Sequence, residues 1–193
     1  MIGKSKLWVY GKGIGSGQIL LHLQNGINIV ADKSLEKDFA RFIKVNPGNL
    51  YILSNGFTSG DCLKFIKSNS NVILNHHWEE AEINALIKKG KNKVFINGKG
   101  FKKEQLLVFA AKGASVVLDH TLSVLDINNF LNQPNKNILI KGKNFFSEDL
   151  LDFLEKGASV IIYDGISEQE KHPLISAGKQ RVIITTSEEI WEV

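Results

Sequence analysis

A block of text that recurs along the chain constrains this sequence more than anything else in it. Asn137 to Gly165, NILIKGKNFFSEDLLDFLEKGASVIIYDG, reads as strand, glycine turn, short helix, glycine stop and second strand. Lys93 to Thr121, KVFINGKGFKKEQLLVFAAKGASVVLDHT, repeats it 44 residues earlier, and weaker copies begin at Leu50 and Leu7. The first strands of the four units are LWVYGKGI, LYILSNGF, VFINGKGF and ILIKGKNF, starting at Leu7, Leu50, Val94 and Ile138, 43, 44 and 44 residues apart. The second strands, NIVAD (Asn28 to Asp32), VILNH (Val72 to His76), VVLDH (Val116 to His120) and VIIYD (Val160 to Asp164), align at intervals of 44. RVIITT, from Arg181 to Thr186, opens a fifth unit. Each long unit thus holds two strand–helix halves of about 22 residues, giving eight halves and a ninth strand. A period of this length marks modules that bury their apolar faces on one another.

The local signals agree with that reading. The strands are short and β-branched, as a pleated surface prefers. SEDLLDFLEKG puts Leu150, Leu151 and Leu154 on one helical face and Gly157 just past its end, where Gly26 and Gly113 stand in sister units. Thr58 with Asp61, Ser123 with Asp126 and Ser167 with Glu170 have capping-box spacing. Asn46-Pro47-Gly48 and Gln133-Pro134-Asn135 are turns between units. Alternating strands and helices imply parallel pairing with right-handed crossovers. The expectation is one α/β repeat domain over residues 1–193, with units 7–49, 50–92, 93–136 and 137–180 and a terminal strand and cap at 181–193.

How the sheet ends is the open question. In a closed (βα)8-like barrel the ninth strand, Val182 to Thr185, would compete with the first. An open array accepts any number of strands, so a right-handed βα array with an all-parallel sheet, curved as an open solenoid, is favoured. Runs such as VVL and VII, apolar at successive positions, argue for cover on both faces and keep a closed or doubly wound sheet as the alternative. Leu50-Tyr51-Ile52-Leu53-Ser54-Asn55-Gly56-Phe57 resembles the leucine-rich-repeat strand, L-x-L-x-x-N-x-L/F. The resemblance covers the array in rhythm and one unit in motif, with Lys12, Lys99 and Lys143 in the asparagine slot of the sister units. It implies a horseshoe whose strand face binds another protein.

Composition narrows the function classes. The net charge is +4, carried by 22 lysines and only two arginines, Arg41 and Arg181. Arginine is the usual tool for bidentate reading of bases, so sequence-specific nucleic-acid recognition is not expected. No apolar run approaches the length of a membrane span, and the N-terminus, MIGKSKLWVYGKG, lacks the apolar stretch of a secretory signal. A cytoplasmic location without membrane contact is the expectation. The lone cysteine, Cys62, reads as a small core residue. No cofactor is indicated: Gly11 to Gly17, GKGIGSG, departs from both nucleotide-loop motifs, and its glycine-lysine pair belongs to the repeat.

Three rows of residues could carry function. Trp8, Tyr51, Phe95 and Leu139, with Tyr10 nearby, would form an apolar-aromatic ladder on an open sheet. The next positions on those strands, Tyr10, Leu53, Asn97 and Lys141, vary more, so the face reads as apolar in the middle and polar towards one rim. Lys12, Lys99 and Lys143 stand in strand-to-helix turns, where backbone N–H groups and a lysine can hold phosphate or carboxylate. Asp32, His76, His120 and Asp164, 44 residues apart at the ends of the second strands, are the candidate metal ligands. His77 and Trp78 would make a local aromatic surface patch. The leading expectation is a non-enzymatic scaffold binding a protein partner through the strand face and the lysine turns. The alternative is a small barrel-like enzyme with a metal or phosphate site at the C-terminal ends of the strands. A subunit of a larger assembly is a third reading, because SEEIWEV covers the last strand thinly.

Overall fold

The structure, a computed structural model, describes residues 6–134 and 137–191. Asn135 of the second proline turn, the leading MIGKS and the last two residues of SEEIWEV lie outside the described residues. Among the described residues there are nine strands: β1 (Lys6–Tyr10), β2 (Asn28–Ala31), β3 (Leu50–Leu53), β4 (Asn71–Leu74), β5 (Val94–Asn97), β6 (Ser115–Leu118), β7 (Ile138–Lys141), β8 (Ser159–Tyr163) and β9 (Val182–Thr185). Helices α1 (Ser16–Gln24), α2 (Phe39–Val45), α3 (Ser59–Lys67), α4 (Glu80–Gly90), α5 (Lys103–Ala111), α6 (Val124–Leu131), α7 (Ser147–Glu155) and α8 (Glu168–Gly178) connect them. Among the described residues, no helix is long and apolar enough to cross a membrane.

Every strand pairs in parallel with its sequence neighbour, and β9 also pairs with β1, with Lys6, Leu7 and Trp8 level with Ile183, Ile184 and Thr185. The sheet is a closed barrel. This overturns the open solenoid, the leucine-rich-repeat-like horseshoe and the repeat-scaffold reading built on them. The ninth strand does not compete with the first. It stands between β8 and β1 and uses both of its edges, so among the described strands no edge remains unpaired. Parallel strands covered on both faces also explain the apolar runs: Val116 and Leu118 pack towards the helices, and Val117 between them packs towards the axis.

Nine strands enclose more space than eight, because barrel diameter grows with strand number. Large side chains fill it. Trp8 lies 4.1 Å from Tyr51 and 6.1 Å from Phe95 between ring centroids, and Tyr51 meets Phe95 edge-on at 5.2 Å. Val30, Ile73, Val117, Leu139, Ile161 and Ile183 belong to the same inner core, as do Leu53, Ile190 and Trp191. Burial pushes the Tyr51 phenol up to about 12. The second core lies between barrel and helices, and Cys62 belongs to it, fully buried, its thiol also pushed up to about 12 by burial and then by Asp61 and Glu82.

The predicted helix signals operate. Thr58 and Ser167 form reciprocal capping boxes with Asp61 and Glu170, and Ser123 accepts from the Asp126 N–H. After β1, β3, β5 and β7 the chain donates one more N–H across the barrel wall, from Gly11 to Val30, Ser54 to Ile73, Gly98 to Val117 and Gly142 to Ile161. At Gly98 the approach is so close that a Cβ would stand 2.6 Å from the Val117 oxygen, which is why the slot suits glycine.

Trp8, only 2 % exposed, is the largest side chain that a strand sends to the axis. Trp8→Ala is expected to lower unfolding stability by about 3–5 kcal/mol, the cost of an unfilled aromatic cavity. Urea denaturation measures it; a loss below about 1 kcal/mol, typical of a surface site, would contradict the closed interior.

Candidate functional site

Side chains alternate between the two faces of a strand, so the residue two past each inner-core position points to the same interior, nearer the C-terminal mouth. Counting on from the inner core gives Tyr10, Asp32, Leu53, Asn75, Asn97, Asp119, Lys141, Tyr163 and Thr185, one from each strand or the residue just past it. Eight of the nine carry a polar group; Leu53 is the exception. The apolar layer therefore ends in a polar ring at the end of the barrel where parallel α/β folds hold their reacting groups.

The ring is wired internally. Tyr10 donates to Asp32 at 2.8 Å, and Asp32 also accepts from the Ser34 N–H at 2.9 Å. Burial, then the hydrogen bond to Asp32, then the charges of Asp32 and Glu189 raise the Tyr10 phenol well above its ordinary range, so it acts as a neutral donor. Burial alone would raise the Asp32 carboxyl, but the bonds from Ser34 and Tyr10 and the nearby Lys12 outweigh it and hold Asp32 below the usual range. Asp119 behaves likewise: burial raises it, and Thr121, Lys141 and His120 together bring it below normal. Lys141, 4 % exposed, lies with Nζ 3.7 Å from Asp119 Oδ2. Asn75 donates to Asn55 at 2.9 Å and accepts from the His77 N–H.

A segment from the chain's own C-terminal end lies over this ring. Thr185 exchanges hydrogen bonds with Ser187 and turns the chain across the mouth, where Glu189–Trp191 form a single 3-10 turn. Ile190 and Trp191 are fully buried in the inner core, with the Trp191 ring 5.7 Å from Trp8. The Trp191 carbonyl accepts from Asn97 Nδ2 at 2.9 Å and from Lys141 Nζ at 3.0 Å. At the rim Lys12 pairs with Glu189 at 3.6 Å and Lys143 pairs with Glu188. Burial of the Ile190 and Trp191 side chains favours the docking, whereas the Trp191 indole N–H is buried without an acceptor among the described residues, which opposes it. The exposed rim pairs add little.

The positions singled out in the sequence divide clearly. Trp8, Tyr51, Phe95 and Leu139 are barrel interior, because the face expected to be open is wrapped around the axis. Tyr10 belongs to the mouth ring. Lys12, Lys99 and Lys143 sit in the turns around the mouth, and among the described residues Lys12 pairs with Glu189 and Lys143 with Glu188. Asp32 lies in the ring, but His76, His120 and Asp164 lie one residue beyond their strands' ring positions. His76 stacks on His77 at 4.1 Å, His120 meets Asn144 at 3.3 Å, and Asp164 accepts from Lys171 at 3.1 Å. Among the described residues, no three His, Cys, Asp or Glu side chains gather where they could hold a metal ion. The reason is register. The first unit is one residue shorter than the others, so the partners of Asp32 are Asn75, Asp119 and Tyr163, and a slip of one residue reverses the face. Counting outward from the apolar centre of each strand would have found Asp119 and Lys141.

Two clefts flank the mouth. One of about 540 Å³ lies between the turns after β3 and β4, lined by Ser54, Asn55, Thr58, Asn75, His77, Trp78 and Glu82. No lysine or arginine is among its described lining residues, and Trp78 donates to Ser54 at 2.8 Å. The other, about 440 Å³, lies between the turns after β7 and β8, with Lys143, Asn144, Ser147, Tyr163 and Glu188 over a floor of Phe145, Leu150, Ile162 and Leu174. The smaller cleft suits an anion better, because it carries a lysine.

No protein-family model and no curated protein matches the chain. Solved structures do. A monomeric form of the dimeric phosphoribosylanthranilate isomerase of Thermotoga maritima superposes with a TM-score of 0.52 at 10% identity, covering 95% of this chain and 88% of that one. A structure described as a lyase/mutase from Burkholderia cenocepacia gives 0.48 at 10% identity over 98% and 78% of the two chains. Dihydropteroate synthase from Xanthomonas albilineans gives 0.43 at 11% identity over 100% and 91%. The first likeness speaks for the fold alone, a closed parallel barrel of the TIM-barrel class, here with nine strands.

If Lys141 and Asp119 act as a pair, Lys141→Met and Asp119→Asn together should cost less than their separate effects added, by a coupling of about 0.5–3 kcal/mol in a urea double-mutant cycle. Additivity within about 0.3 kcal/mol would show that they do not interact. Because the folded values of Asp32 and Asp119 are lowered, their contribution is full above the ordinary carboxylate value of about 3.9 and is lost as pH falls through the lower folded values. The stability gap between the protein and Asp32→Asn should therefore hold above the ordinary carboxylate value of about 3.9 and narrow as pH falls below it. An unchanged gap would remove the hydrogen-bond assignment.

Proposed function

We propose that this chain is a small barrel enzyme that takes a small anionic substrate at the C-terminal mouth and stabilises negative charge that develops on one of its oxygens. The observation that carries this reading is the polar ring on an apolar barrel, with a buried Lys141 lying 3.7 Å from a half-buried Asp119 and lysine turns at its rim. Lys143, beside the smaller cleft, and Lys12, across the rim, would hold the anionic group. Lys141, desolvated and aimed at the axis, would hold charge developing on a substrate oxygen, the largest single contribution in many enzymes. Asp119 keeps that ammonium in place and remains an anion. Tyr10, kept neutral and held by Asp32, is suited to donate a hydrogen bond rather than to act as a base. The fold likeness supports a barrel as scaffold, and the chemistry is argued from these side chains.

The same arrangement favours an anion over a metal, since the charged groups converging on the mouth include Lys12, Lys141 and Lys143, while His76 and His120 each have partners of their own. A protein partner was expected from an open strand face. That face is interior, so the mouth is the better-supported site.

Titration of the full chain with inorganic phosphate and with malonate, followed by calorimetry, tests this. Lys143→Met and Lys141→Met should each weaken binding about tenfold, corresponding to about 1.4 kcal/mol. Wild-type affinity in both variants would sink the proposal.

A further inference from the structure

Around the larger cleft, between the turns after β3 and β4, several departures from the internal repeat come together. Matching backbone hydrogen bonds fix which residues correspond. The N–H groups of Ile14, Phe57, Phe101 and Phe145 donate to the carbonyls of Gly11, Ser54, Gly98 and Gly142, and those of Leu35, Trp78, Leu122 and Ile166 to Asp32, Asn75, Asp119 and Tyr163. Ser54 thus stands where the sister turns have glycine, and Asn55 where they have Lys12, Lys99 and Lys143. Trp78 stands where they have Leu35, Leu122 and Ile166. The helix cap changes as well. Ser123 and Ser167 cap α6 and α8, with their hydroxyls bonded to Asp126 and Glu170. The cap of α4 is Glu79, which makes no side-chain capping bond. Glu82, the counterpart of Asp126 and Glu170, is thereby released. It lines the cleft, half-buried, and no hydrogen bond or ion pair among the described residues engages its carboxylate.

These changes reverse the charge preference of the site. The lysine of the repeat is gone, a carboxylate is uncommitted, and an indole replaces an aliphatic side chain. The indole is held in place: its Nε1–H donates to the buried Ser54 hydroxyl at 2.8 Å. Serine in the glycine slot therefore anchors one edge of a half-buried ring whose remainder borders the cleft. Lys33, over the Phe57 ring at 4.1 Å, is committed to Glu36 at 3.0 Å. A tryptophan that only filled the wall would need neither the loss of the lysine nor the loss of the cap. The face of an indole attracts ammonium groups more strongly than other aromatic rings do, and water screens a half-buried carboxylate less than an exposed one. We propose that this cleft is a binding site for a small organic cation, an amine or a quaternary ammonium compound, held by the Trp78 ring and the Glu82 carboxylate. The inference does not rest on an anionic substrate at the mouth.

Choline is the probe. The controls are its carbon isostere, in which a tert-butyl group replaces trimethylammonium, and glucose as a neutral polyol. Calorimetry on the full chain gives affinity, and the indole N–H signals in NMR give location, with the Trp78 signal assigned from its loss in Trp78→Leu. Choline should move the Trp78 signal saturably and bind about tenfold more tightly than the isostere. Glu82→Gln and Asn55→Lys should each weaken choline about tenfold, and Trp78→Leu should abolish its binding heat. Asn55→Lys and Trp78→Leu install residues that the sister turns already carry, so the fold accommodates them. Equal affinity for choline and the isostere, or a Trp78 signal that choline leaves unmoved, would overturn the proposal. Glucose binding without choline binding would overturn it too and assign the cleft to neutral polyols. Phosphate binding at the mouth and its weakening in Lys143→Met are measured separately, so either reading can fail while the other stands.

Discussion

The pairing of β9 with both β8 and β1 is the constraint on which the rest of the structure depends. Without it the chain would be a strip with two raw edges and an aromatic face in water. With it the same aromatic face becomes an interior, the helices form an outer layer, and the C-terminal strand ends meet in a single mouth. Closure also sets a packing problem. A ring of nine strands is too wide for Val and Ile alone, so Trp8, Tyr51 and Phe95 fill it from the wall and Trp191 fills it from above. Chain end and barrel width are two parts of one solution.

The mouth follows from that solution by simple alternation. An inner layer that must be apolar is succeeded, two residues further along each strand, by positions that face the same way but lie near water. Polar side chains there satisfy one another rather than bulk solvent, as in Tyr10 with Asp32 and Lys141 with Asp119. Burial of Lys141 and partial burial of Tyr10, Asp32 and Asp119 give them chemical leverage, because electrostatic interactions strengthen as water is excluded.

Strands, turns and helix caps were legible in the sequence because each is a local, repeated signal: the β-branched runs, the glycine slots, and Thr58, Ser123 and Ser167 at cap spacing. Closure was not legible, because curvature and interior volume belong to no single segment. The ninth strand looked surplus only when eight was taken as the closing number. The polar rim was partly visible in Tyr10, Asn97 and Lys141, whereas Asp119 was hidden by an alignment that held Asp32 to a strict 44-residue step. One residue missing from the first unit moved His76, His120 and Asp164 to the outside of the ring. Nothing local in Glu188 or Glu189 marked them as partners of Lys143 and Lys12, since those contacts exist only after the barrel has closed.

The seam between first and last strands has a kinetic meaning as well. Every other ladder joins segments that follow one another along the chain, but this one joins Lys6 to Ile183. The entropy lost in closing a loop rises with its length, and distant pairings are made slowly. The expected order of assembly is then that of a strip zipped up neighbour by neighbour and rolled shut at its two ends.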